Sequence, residues 1–194
     1  MSAITGEPAR ITVRDFQTRK ARGERIVVVT AYDALFGRLV DESGVDAVLV
    51  GDSLGNLLAG FETTLPVTLD QMIYHARSTR AGVKRALLAV DMPFLTYQVS
   101  PRRALVNCGR VMQESGADAV KLEGAGENIL AAVRAVTGAG IPVMGHLGFT
   151  PQSVFALGGT RVQARDAEGA KRLVTDARAL EAAGVFSIVL ELVP

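Results

Sequence analysis

A short apolar run, nearly free of polar alternation and with a glycine close ahead of it, recurs along this chain and limits what it can become. The runs are "IVVVT" (26–30), "AVLVG" (47–51), "ALLAV" (86–90), "AVKL" (119–122), "IPVMG" (141–145) and "SIVL" (187–190). Strands of a parallel sheet read this way because helices cover both faces and leave no side for polar residues. The junctions "ESGVDAVLV", "ESGADAVKL", "GAGIPVMG" and "AAGVFSIVL" each set a glycine before a strand. That is a helix C-cap feeding a short loop, repeated at spacings of roughly 24 to 44 residues. Between the runs lie amphipathic stretches. Thr68 is the expected cap of a helix that stops at Gly82, and Ser100, followed by Pro101 in the first turn, caps one that stops at Gly116. Asp33 is the expected N-cap of the first barrel helix. A repeating βα pattern predicts a parallel α/β fold, either a (β/α)8 barrel or an open doubly wound sheet.

The strand ends separate these two. They read "TAYD", "VGDS", "AVDM", "KLEG", "MGHLG" and "LELVP", so the runs terminate on Asp33, Asp52, Asp91, Glu123, His146 and Glu191. An open sheet concentrates its site at one switch point, whereas a barrel brings every strand end to one mouth. Loaded ends throughout favour the barrel, and no glycine-rich phosphate loop follows the first strand. A full barrel usually takes about 250 residues. The expectation is therefore one barrel domain over 1–194 with about six βα units, the two C-terminal units being absent.

Composition excludes several classes. The chain is 48% hydrophobic with a formal charge of +1, and its acids and bases are intermixed, so no basic stripe tracks a nucleic acid. The apolar runs are far shorter than the roughly 18 to 20 residues of a membrane span. One cysteine, Cys108, makes no internal disulfide, and "MSAITGEPAR" lacks the apolar core of a signal peptide, which predicts a cytoplasmic protein.

Asp52, Asp91 and Glu123 would meet at the mouth. Three anions so close repel unless a cation sits among them, and an all-oxygen set suits a hard ion such as Mg²⁺. The plainer role for each is a helix cap or a solvent contact. Lys121 lies two residues before Glu123 on the same strand face, one layer deeper, where a buried ammonium needs an anion. A substrate carboxylate or a neighbouring strand's acid would serve. Ser53 offers a hydroxyl and an N–H to a carboxylate, or simple turn chemistry. His146 orients a neighbour, relays a proton, or is a satisfied core histidine. His75, in mid-helix, and Cys108 read as structural. Glu191 interrupts an apolar strand, and burial there would raise its pKa toward that of a general base.

Together, "TAYD", "VGDSLGN", "TTLPVTLDQM", "DMPF", "VKLEG", "GHLGFTPQSV" and "LELVP" resemble ketopantoate hydroxymethyltransferases in order and spacing over roughly residues 10 to 194. The resemblance implies a (β/α)8 TIM-type barrel of the phosphoenolpyruvate and 2-oxo acid kind. It also implies hydroxymethyl transfer from 5,10-methylenetetrahydrofolate to 3-methyl-2-oxobutanoate, and a large homo-oligomer. Carried over by position, the metal ligands are Asp52 and Asp91, with Glu123 direct or through water. The 2-oxo acid contacts are Asp52, Ser53, Asp91 and Lys121, and the proton acceptor is Glu191. Ala164, in "GGTRVQARD", stands where the family usually has glycine. Two alternatives remain. One is another Mg²⁺-dependent 2-oxo acid lyase or mutase on a related barrel, whose Lys-Lys-Cys-Gly-His loop is absent here. The other is a non-catalytic oligomeric relative.

Overall fold

The computed structural model describes residues 9–194, so the leader expectation, which rests on the first ten residues, falls largely outside the described residues. A first helix, α1 (Val13–Arg22), precedes the repeat. There follow β1 (Val28–Thr30), α2 (Ala34–Glu42), β2 (Ala47–Val50), the single turn α3 (Leu54–Leu57), α4 (Leu69–Gly82) and β3 (Leu87–Asp91). The second half runs α5 (Pro101–Ser115), β4 (Ala119–Glu123), α6 (Glu127–Gly138), β5 (Val143–Gly148), α7 (Ala167–Ala182) and β6 (Ser187–Glu191). The strands form one six-stranded sheet in the order β1-β2-β3-β4-β5-β6, every pair parallel. This is a parallel half-barrel, and no strand joins β6 to β1 among the described residues.

Local chemistry explains the boundaries. Thr68 caps α4, its Oγ1 accepting from the Gln71 N–H, and Ser100 caps α5 by accepting from Arg103 N–H at 3.2 Å. Asp33 caps α2 through the Phe36 N–H at 2.8 Å. Gly116 ends α5 in the left-handed region at φ 72°, as expected of a C-cap glycine. Gly82 differs from its expected role as a stop. It is the last helical residue of α4, and a Cβ there would collide with the Ala34 carbonyl, so the glycine serves close approach of α4 to α2. Strand β5 begins at Val143, because Pro142 has no N–H to give a ladder.

Two packing layers divide the strand residues. Val48, Val50, Leu88, Val90, Val120, Leu122, Val143 and Leu147 face the helices. The alternate residues Ala47, Leu87, Ala89, Ala119 and Met144 face the barrel interior, where α1 inserts Phe16 from below. The Phe16 ring meets Phe186 edge-on with centroids 5.4 Å apart. The apolar runs of β2 to β5 are thus buried as expected. Strand β1 is not: all three of its residues are exposed, and β6 is only partly covered. Both lie at the sheet's ends, with a strand neighbour on one side alone.

Candidate active site

The inward-facing series changes character along each strand, apolar at the bottom and ionisable at the top. On β3 it reads Leu87, Ala89, Asp91, on β4 Ala119, Lys121, Glu123, and on β5 Met144, His146. Strand pairing then sets Asp91 level with Lys121, and Glu123 level with His146. Asp52 and Ser53 follow β2. Asp52, Asp91, Lys121, Glu123 and His146 are all buried. With Ser53 and Glu191 they line one cavity of about 490 Å³, so the structure brings every sequence-predicted site residue together.

Lys121 Nζ lies 2.6 Å from Asp91 Oδ1, an ion pair between neighbouring strands. Burial works against the charged amine, but Asp91, Glu123 and Asp52 outweigh it and raise its pKa. Asp91 Oδ2 accepts from the Asp52 N–H at 3.2 Å. Asp52 itself is pushed up to about 7, chiefly by burial and next by the charge of Asp91. One lysine therefore faces three carboxylates in this cavity. His146 stands between two acids, its Nδ1 3.4 Å from Glu123 Oε1 and its Nε2 3.2 Å from Glu191 Oε2. The Glu191 side chain is 41% exposed. The expected burial of Glu191 is thus only partial, and His146 is its nearest ionisable neighbour.

Three residues escaped the sequence reading. Tyr32 OH is 2.9 Å from Ser53 Oγ, and the Tyr32 carbonyl accepts from His75 Nδ1 at 2.8 Å, which gives His75 the structural role expected of it. Gln152 and Tyr97, both buried, lie behind the carboxylates. Gln152 Nε2 donates to Asp52 Oδ2 at 2.9 Å, and its backbone N–H donates to Glu123 Oε2 at 3.1 Å. Each is drawn in across a long sequence separation, and "TPQS" carried no visible reason for a glutamine. Cys108 is buried and its thiol pushed up to about 12 by that burial, consistent with packing alone.

Among the described residues no three His, Cys, Asp or Glu side chains stand as a ready-made metal cage. The donor set nonetheless fits a hard divalent ion, because Mg²⁺ commonly takes one or two protein carboxylates and completes its shell with water and substrate. Asp52, whose charge is resisted by burial and by two like charges, would be relieved by such an ion.

The fold is similar to that of phosphonopyruvate hydrolase, solved in complex with oxalate and Mg²⁺ (TM-score 0.70, 14% identity, 93% of this chain and 63% of that one). It is also similar to 2,3-dimethylmalate lyase, a PEP mutase/isocitrate lyase superfamily member (TM-score 0.67, 17% identity, 95% and 65% covered). The architecture is therefore that of a TIM-type α/β barrel, here as six parallel strands. Sequence comparison is narrower. The chain belongs to the ketopantoate hydroxymethyltransferase family, whose profile matches residues 10–194. A 3-methyl-2-oxobutanoate hydroxymethyltransferase of Thermobifida fusca is 51% identical over 202 residues, covering 100% of this chain and 72% of that protein. The chain thus spans about two thirds of the length of the proteins it matches.

Proposed function

We propose that this chain transfers a hydroxymethyl group from 5,10-methylenetetrahydrofolate to 3-methyl-2-oxobutanoate, giving 2-dehydropantoate and tetrahydrofolate, a step of pantothenate biosynthesis. One observation carries the reading: an acid-rich cavity holds a buried lysine at its floor and a carboxylate–histidine pair at its rim. A 2-oxo acid needs that division, with cationic support at the carboxylate and keto oxygens and a base at carbon 3.

Lys121 balances the substrate carboxylate from below, and the Ser53 hydroxyl, braced by Tyr32, donates to it. Asp52 and Asp91, with Glu123 directly or through water, would hold Mg²⁺, whose charge supplies stabilisation for the negative charge that builds on the keto oxygen. Glu191 removes the carbon 3 proton. His146 Nε2, 3.2 Å from one Glu191 oxygen, would steady that oxygen and leave the other to face the substrate. Carbon 3 then forms its new bond to the folate's one-carbon unit at the formaldehyde level. Both C–N bonds of that unit to the folate break; one water supplies the hydroxyl group and a proton, and that proton with the one taken from carbon 3 leaves tetrahydrofolate. The phosphonopyruvate hydrolase structure holds oxalate with Mg²⁺, and oxalate presents the same adjacent pair of oxygens as a 2-oxo acid. With this reading go the single barrel domain and cytoplasmic location expected from the sequence, and the homo-oligomer that the resemblance implies.

The test is product formation. Purified protein supplied with the oxo acid, the folate and Mg²⁺ forms 2-dehydropantoate, and Glu191→Gln lowers turnover by roughly 10²- to 10⁴-fold. Unchanged turnover in that variant would remove Glu191 from the chemistry.

A further inference from the structure

The geometry points to Gln152 as a positioning residue that Tyr97 locks in one orientation, so that one residue, through its side-chain amide to Asp52 and its backbone N–H to Glu123, sets the two flanking carboxylates for a divalent cation. The proposal rests on the metal reading above.

The orientation of the Gln152 amide is fixed by its neighbours. Nε2 lies 2.9 Å from Asp52 Oδ2 and 2.9 Å from the Met92 carbonyl oxygen. A backbone carbonyl only accepts, so the NH₂ must be on that side. Oε1 lies on the other side, 2.9 Å from Tyr97 OH and 2.9 Å from Gln98 Nε2. The Tyr97 hydroxyl accepts from the Glu123 N–H at 3.0 Å, which leaves its one proton for Gln152. Burial, and then the charge of Glu123, hold that phenol protonated, so it stays a donor.

The bonds close a ring. The Glu123 N–H donates to Tyr97, Tyr97 to the Gln152 carbonyl, the Gln152 amide to Asp52, and the Gln152 backbone N–H back to Glu123 Oε2. One oxygen of each carboxylate is tied down, Oδ2 of Asp52 and Oε2 of Glu123. The other oxygen of Glu123 lies 3.4 Å from His146 Nδ1, and that of Asp52 has no hydrogen bond to another side chain among the described residues. Buried amides and hydroxyls in such a ring hold ligand oxygens still, and losing them typically costs about 10- to 100-fold in metal affinity. Tyr97 itself does not line the cavity. Its effect reaches the cation through Gln152 and through the Glu123 backbone that it also holds.

Mn²⁺ binding, read by loss of the free-ion EPR signal, tests this on the full chain. Gln152→Met keeps the volume and removes the amide, and Tyr97→Phe removes only the lock. Both should weaken Mn²⁺ about 10- to 100-fold, and the double variant should lose less than the product of the two single losses. Cys108→Ala supplies the contrast, a core cavity that lowers Tm with unchanged Mn²⁺ affinity. In the unmutated protein the Gln152 side-chain amide should resist solvent exchange and shift when Mg²⁺ is added, a reading that needs no variant to fold. Folded variants with unmutated affinity, or a Gln152 amide that exchanges freely and ignores Mg²⁺, would overturn the clamp. An unmutated protein that binds no Mn²⁺ would overturn the metal reading instead.

Discussion

Asp52 carries a carboxyl whose pKa is pushed up to about 7 by burial and by Asp91. A group with a raised native pKa holds its proton in the folded state while the unfolded chain has already lost it. Between its ordinary value of 3.8 and about 7, the unfolded state therefore binds fewer protons, and Asp52 makes stability fall as pH rises. Urea unfolding of metal-free protein should show that fall, Asp52→Asn should flatten it, and Mg²⁺ should restore stability at the upper end. Asp41 acts in the opposite window. Burial raises its pKa, but the N–H groups of Ala86, Lys84 and Arg85 outweigh this and lower it, so its contribution is lost only as pH falls below 3.8. Their place at strand ends made Asp91 and Glu123 legible, and the two-residue spacing set Lys121 on the same strand face as Glu123. Gln152 and Tyr97 were not legible, because their partners lie 100 and 55 residues away and no local pattern encodes those contacts.

Helix caps and the glycine ahead of each strand are local chemistry, so α4, α5 and their stops could be read within a residue or two. What the pattern hid was why a given glycine is there. Gly82 and Gly37 let α2 and α4 approach closely; a Cβ on Gly37 would sit 2.8 Å from the Thr79 carbonyl oxygen. Gly82→Ala should therefore cost about 1 to 3 kcal/mol by overpacking, measured as a lower denaturation midpoint. Ala164 is the reverse case. It adopts φ 54° in the loop before α7, in the left-handed region that disfavours a Cβ, where the resemblance led us to expect glycine. Ala164→Gly should stabilise by up to about 1 kcal/mol, since it relieves left-handed strain and gives back part of that in chain entropy. An unchanged or lower midpoint would show that the loop, and not the methyl, sets this φ.

Across the molecule, a run of apolar residues reads as buried whether or not a second strand lies beside it, which is why β1 was expected in the core. Val27, Val28 and Val29 at the β1 edge are exposed, as are Leu35, Phe36 and Leu39 on α2 and Leu190 on β6. The half-barrel still gathers every inward strand end into one cavity, and the account stands on what that cavity does to carbon 3 of a 2-oxo acid. The most direct measurement is deuterium exchange at carbon 3 of 3-methyl-2-oxobutanoate, followed by NMR without folate, with and without Mg²⁺, for the unmutated protein and Glu191→Gln. The account predicts exchange that requires both Mg²⁺ and Glu191. Folded, Mg²⁺-binding protein that leaves the carbon 3 proton in place would contradict it.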